Sequence, residues 1–217
     1  MPELMATVTI AATYGAGGSV IAPAVARRLG LPLVGRAIPP ALAAQLDERL
    51  RAALVDDAHH VGAVTRLLTR ALSSGGLFVG VPQAPEELGA VPDVARAEAM
   101  LRSLADGDGA VILGMAGVFV LSGRHDTLHV RLDGPVEARR RQAMAHEGLD
   151  YETAARLQEQ NDRARRAYVE HFHPQSGAWN DIRHYHLVLD STVISLDTCV
   201  DLIVRAAEDL AKARQHD

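Results

Sequence analysis

At 217 residues the chain is long enough to bury a full core, and 48% hydrophobic with 23% charged residues is the balance of an ordinary soluble domain. A formal net charge of −5 argues against a general nucleic-acid-binding surface, and no apolar run approaches the ~20 residues that a membrane span requires. The single cysteine, Cys199, excludes an internal disulfide. It falls in a late apolar-periodic segment, where a small core residue is expected. The opening Met1-Pro2-Glu3-Leu4-Met5 has no basic region followed by an apolar core, so a cytoplasmic location is expected.

A first strand is predicted over residues 6–11, where Thr7-Val8-Thr9-Ile10 supplies a β-branched run. The turn Tyr14-Gly15-Ala16-Gly17-Gly18-Ser19 follows, and a helix is predicted over 18–29, stopped by Gly30 and Pro32. Strand, glycine-rich turn and helix start make a layout that cradles phosphates. Glycine lets the backbone approach an anion, and the first amides of a helix point at it along the favourable end of the helix dipole. A phosphate loop of the G-x-x-x-x-G-K-[ST] form requires glycine at 12 and lysine at 18. Gly17 and Ser19 fit that form, whereas Ala12 and Gly18 do not, and the only lysine of the chain is Lys212. The cradle is present without its usual point charge. Read without further support, the same turn serves equally to pack a helix against a strand.

Leu33-Val34 is a short strand candidate. Residues 38–73 read as one or two helices, with leucines at 42, 46, 50 and 54, and 81–92 as an irregular connection with three prolines. A helix over 93–105 capped by Asp93 is followed by a strand over 110–114 whose continuous apolar run implies burial on both faces. Further elements are a strand over 127–132, a helix over 135–146 with proline in its first turn, a long arginine-rich helix over 151–172, and a loop over 173–183 holding Trp179. A strand over 186–189 and a helix over 195–214 close the chain. Alternating strands and helices imply a parallel sheet covered on both faces, with ligands outside the carboxyl ends of the strands. The turns at 14–19, 114–117 and 133–134 all fall at such ends.

Arginine provides nearly all the basic charge, and its planar fork suits phosphate. Arg163, Arg165 and Arg166 lie on the long helix, where Asp162 and Arg166 are one turn apart and able to pair. Two interpretations are open for this run: a solvated, salt-bridged face, or a cationic lid over nucleotide phosphates. Arg139, Arg140 and Arg141 precede it by one helix. Of the ten histidines, His171/His173 and His184/His186 form His-x-His pairs without a cysteine partner, and scattered surface positions are expected for them rather than a metal site.

Several blocks, in order along most of the chain, resemble the cytidylate kinase-like family of P-loop nucleoside monophosphate kinases. Val8-Thr9-Ile10 through Gly18 resembles that family's lysine-less opening, in which a tyrosine precedes Gly-Ser-Gly-Gly. Gly30-Leu31-Pro32-Leu33-Val34-Gly35-Arg36 resembles its Gly-Ile-Pro-Phe-Tyr-Asp-Arg. Ile112-Leu113-Gly114-Met115-Ala116-Gly117 stands where it has Gly-Arg-Gly or Gly-Arg-Asp. Pro135-Val136-Glu137-Ala138-Arg139, Asp162-x-x-Arg165-x-x-Tyr168 and Tyr185-His186-Leu187-Val188-Leu189-Asp190-Ser191 resemble three further segments, of which the second is its lid helix.

The resemblance implies a three-layer P-loop NTPase-type α/β fold with a mostly parallel sheet. It implies a single domain over 1–217, with a helical acceptor-binding insertion at 36–105 and an arginine-rich lid region at 150–183. It implies ATP and Mg2+ as cofactors, held by Tyr14, Gly15, Ala16, Gly17, Gly18, Ser19 and Arg139, with Ser19 as the metal ligand. Arg36 and Met115 are the implied acceptor contacts, and Arg163, Arg165 and Arg166 the catalytic cations. The implied partners are a nucleotide and a small phosphate acceptor, with neither nucleic acid nor membrane; a homodimer stays open.

Met115 and Ala116 replace an arginine and an acid that bind the pyrimidine in true cytidylate kinases, and cannot form those hydrogen bonds. Two functions are therefore expected to compete. One is a nucleotide kinase-like phosphotransferase acting on a nucleoside monophosphate or similar small acceptor. The other is a nucleotide-binding protein with little catalysis.

Overall fold

The computed structural model describes residues 6–35, 94–114 and 116–213. Its strands are β1 (Thr7–Ala12), β2 (Leu33–Val34), β3 (Val111–Leu113), β4 (Thr127–Asp133) and β5 (Leu187–Asp190). Its helices are α1 (Gly18–Leu29), α2 (Val94–Asp106), α3 (Gly117–Val120), α4 (Val136–Glu147), α5 (Tyr151–Phe172) and α6 (Leu196–Ala213), with a 3-10 turn at Ile182–His184. The strands form one sheet in the order β2-β3-β1-β4-β5, and every pairing is parallel. All carboxyl ends therefore lie on one edge, where the turns after β1, β3 and β4 meet.

Side-chain alternation along the strands builds the two covering layers. Val8, Ile10, Val111, Leu113, Val130 and Leu132 pack against Ile21 and Val25 of α1 and against Cys199, Ile203 and Val204 of α6. Cys199 is thus the small core residue that its position implied. On the opposite face, Ile112 packs with Leu101 of α2 and with Val120 and Leu121. Next to it, Val118 and Phe119 of α3 meet Val169 of α5 and Tyr185. The predicted elements agree with the observed ones to within two residues. The exceptions are α3, four residues long and too short to show a period, and the 3-10 turn inside the expected loop. The expected helices at 38–73, the proline-rich connection and the Asp93 cap lie outside the described residues.

The second face of β4 is polar, and this was not read from the sequence. In Thr127-Leu128-His129-Val130-Arg131-Leu132-Asp133 every second side chain is polar, and Thr127, His129 and Arg131 are all buried. Among the described histidines only His129 is buried; His125, His146, His171 and His186 are exposed, as a scattered surface set would be, and His173 and His184 are half-buried. Thr9 Oγ1 lies 2.7 Å from His129 Nδ1. The His129 main-chain N–H donates to His186 Nδ1 at 3.1 Å, and the His186 N–H donates back to the His129 carbonyl at 2.8 Å. Burial, followed by the neighbouring charge of His186, pushes His129 down to about 4 from an ordinary 6.5.

This group therefore binds its proton more readily in the unfolded chain. Its contribution, about 3 kcal/mol, is complete above pH 6.5 and is lost as pH falls from 6.5 through 4. In His129→Asn the fall in melting temperature between pH 6.5 and 4 is expected to be shallower than in the wild type. Parallel pH profiles would refute this.

Candidate phosphate-binding site

The turn after β1 is shaped by two glycines in the left-handed region, Gly15 at φ 79° and Gly17 at φ 71°, a conformation that costs other residues about 1–2 kcal/mol. Gly17 is also the N-cap of α1 and has no side chain to satisfy the helix amides. The loop's carbonyls are held from outside. Tyr14 O accepts from Arg139 at 2.7 Å, Gly15 O from Gln142 Nε2 at 2.9 Å, and Ala16 O from Ser191 Oγ at 2.8 Å. Thus α4 and the residue following β5 fix all three carbonyls by hydrogen bonds from outside the loop. The amides behave oppositely. Ala16 N–H closes a turn onto Thr13 O, but the amides of Gly15, Gly17, Gly18 and Ser19 have no protein acceptor among the described residues. Four uncommitted donors at a helix N-terminus are the arrangement that an anion site requires. Ser19 is exposed, and its hydroxyl makes no hydrogen bond among the described residues.

Charged side chains converge on the loop from α4 and α5. Asp162 Oδ1 accepts the Tyr14 N–H at 3.0 Å and an Arg165 guanidinium nitrogen at 3.3 Å, while Oδ2 accepts from Arg139 at 3.0 Å. Arg139 also donates to Gly134 O at 2.9 Å, and its side chain is only 6% exposed. Its guanidinium therefore meets the loop on the carbonyl side. The expected one-turn pair between Asp162 and Arg166 does not form. Asp162 faces α4 and the loop, which directs it to Arg139 and to Arg165 three residues on. Arg165 is mostly buried beside the loop. Arg163, with a side chain 73% exposed, pairs with Glu159 on the outer face of α5, and Arg166 is exposed as well. Of the three arginines, then, only Arg165 stands against the loop. Arg36 and Met115 lie outside the described residues.

At the end of β4, Asp133 joins the same network. Its Oδ1 accepts from Thr13 Oγ1 at 2.9 Å, and Arg131 donates to its Oδ2 at 2.6 Å. Burial pushes the Asp133 carboxyl up, but Arg131 outweighs it, aided by the Gly134 amide and the Thr13 hydroxyl, and holds it below the usual carboxylate range. The Arg131 guanidinium in turn lies 4.5 Å from the centre of the Trp179 ring, which fixes the loop before β5 onto the sheet. Ala116, after β3, adopts φ 51°, the only positive φ at a non-glycine position among the described residues. Sequence reasoning passed over Asp133 and Arg131 as chemistry. The alternation within β4 was the signal that would have found them.

A parallel sheet in this order, with an amide-lined glycine turn after its central strand, defines a P-loop kinase-type α/β fold. A crystal structure of an uncharacterized protein from Eubacterium ventriosum ATCC 27560 aligns with a TM-score of 0.62 and 18% identity, over 94% of this chain and 98% of that one. A gluconokinase from Sinorhizobium meliloti 1021 aligns with a TM-score of 0.51 and 12% identity, over 99% and 98% of the two chains. The model of the cytidylate kinase-like family matches residues 7–193, and the chain belongs to that family. Among curated proteins no match was found. Among the described residues no helix is long and apolar enough to cross a membrane.

Proposed function

We propose that the chain is a nucleotide kinase-like phosphotransferase that takes ATP·Mg2+ at the glycine turn and passes the γ-phosphoryl group to a nucleoside monophosphate or similar small acceptor. The observation that carries this reading is the set of four uncommitted amides at Gly15, Gly17, Gly18 and Ser19, with the carbonyls of Tyr14, Gly15 and Ala16 held from outside the loop. Phosphoryl transfer is mostly positioning and charge stabilisation, so a preorganised amide cradle is the main requirement. In this reading Ser19 holds the metal, which when bound supplies charge neutralisation across the phosphates. Arg165 supplies the cation that Gly18 lacks, and Arg139 sets the loop's shape. Arg163 and Arg166 reach phosphate only if α5 moves as a lid over 150–183. Residues 36–105, with Arg36, and Met115 form the acceptor side.

A second reading, a nucleotide-binding protein with little catalysis, is favoured by Gly18 in place of a lysine and by Met115 and Ala116 in place of the arginine and acid of true cytidylate kinases.

A thermal-shift screen of nucleotides with and without Mg2+ tests the site itself, because binding to the folded state raises the melting temperature. No shift at millimolar ATP would refute both readings. ADP release in the presence of a panel of monophosphates then separates them. Arg165→Ala is expected to lower turnover about 100-fold while lowering the melting temperature by less than about 3 °C. Equal losses in both would make Arg165 a structural residue.

A further inference from the structure

Gly18 is the first residue of α1, buried, and outside the positive-φ set, so its backbone would accept any L residue. Space is what excludes a side chain there. A Cβ at position 18 would stand 2.6 Å from the Ala12 Cβ and 3.3 Å from Leu113 Cδ1. Real Cβ atoms do not approach another carbon to 2.6 Å, and Ala12, at the end of the central strand β1, is pinned by its pairing with Leu132 of β4. In the G-x-x-x-x-G-K-[ST] form, position 12 is the glycine and position 18 the lysine. This chain carries the opposite sizes at the two positions: a methyl at 12 and nothing at 18.

We propose that Ala12 and Gly18 are an exchanged pair. The Ala12 methyl fills the volume that a side-chain stem at 18 needs, so Ala12 is the residue that keeps the loop without a cation of its own. A lysine placed at 18 alone cannot lie over β1. It becomes admissible once residue 12 is glycine. The functional consequence, that the charge on the polyphosphate must come from outside the loop, rests on the phosphate-binding reading above; the steric exchange does not.

The test compares the melting temperatures of the wild type, Ala12→Gly, Gly18→Ala and the double variant A12G/G18A. Gly18→Ala adds only the Cβ in question and is expected to lose on the order of 6 °C, as overpacked cores do. Ala12→Gly is expected to lose about 3 °C through the missing methyl and the freer backbone. The double variant is expected within about 3 °C of the wild type, well above the sum of the two losses, which is the mark of coupled neighbours. A wild-type melting temperature for Gly18→Ala, or a double variant equal to the sum, would overturn the proposal.

A parallel pair, G18K and A12G/G18K, titrated with ATP·Mg2+, separates this proposal from the nucleotide reading. The double variant is expected to fold better than G18K and to bind about tenfold more tightly than the wild type. Coupled melting temperatures with no nucleotide binding by any variant would sustain the exchanged pair and refute the phosphate site. A double variant that folds like the wild type yet binds no more tightly than a nucleotide-binding wild type would refute position 18 as the missing cation's place.

Discussion

Arg139→Ala is expected to lower the melting temperature by about 10 °C and to abolish nucleotide-induced stabilisation. The guanidinium joins four separate groups: the Tyr14 and Gly134 carbonyls at 2.7 and 2.9 Å, Asp162 at 3.0 Å, and Asp133 at 3.5 Å. Truncation leaves two carbonyls without this donor and removes a buried partner from two carboxylates. Breaking a buried ion pair from one side costs about 3–5 kcal/mol, because the remaining charge stays desolvated. In a domain of this length that corresponds to about 6–20 °C. The loop suffers beyond the stability loss, since Tyr14 O is then free to rotate toward the concave side and place a partial negative charge where an anion would sit. Arg139→Lys should recover only part of the loss, because one ammonium cannot span the fork of contacts that the planar guanidinium makes. Calorimetry with and without ATP·Mg2+ measures both effects; an Arg139→Ala protein that melts within 2 °C of the wild type would remove Arg139 from its structural role.

Gly15→Ala is expected to be still more damaging to the site. At φ 79° an alanine is strained, and its Cβ would lie 2.2 Å from the carbonyl oxygen of Arg139, a backbone atom inside α4 that has no freedom to withdraw. Gly30→Ala is the control, because Gly30 has φ 68° and nothing within 4 Å of an added Cβ. It incurs the dihedral cost alone, about 1–2 kcal/mol, or about 4 °C. Gly15→Ala incurs the same cost together with displacement of the loop from α4. A melting-temperature loss at least twice that of Gly30→Ala, with the nucleotide shift gone, is expected. Equal losses for the two variants would mean that the approach of loop to helix is unimportant.

How much of this was legible beforehand depended on whether the determinant was local. The β-branched run of β1, the glycines of the turn, the Gly30 stop and the long arginine-rich α5 each announce themselves within a continuous stretch of chain, and the structure places them where expected. Partner choice did not announce itself. Asp162 is equally disposed by helix geometry toward residues three and four positions on. The packing of α5 on α4 decides the matter in favour of Arg165 and of Arg139, which lies 23 residues away. The same is true of Ala12 and Gly18. Each was visible as a departure from a motif, but that one departure fills the space left by the other is a fact of three dimensions. The burial of His129 was missed because a polar residue in a strand reads as solvent-facing until the other layer is known to cover it. The neighbours of His129 on that side include Leu121, which follows α3, and His184 of the 3-10 turn, and neither element has a periodic signature.

Side chains from three places in the chain grip the turn after β1: Arg139 and Gln142 one helical turn apart in α4, Asp162 in α5, and Ser191 after β5. The torsional freedom of that turn is thus surrendered when the protein folds, not when an anion arrives. Capture of a polyphosphate should consequently leave the main chain of residues 13–19 superimposable on its empty form, with rearrangement confined to whatever closes above it.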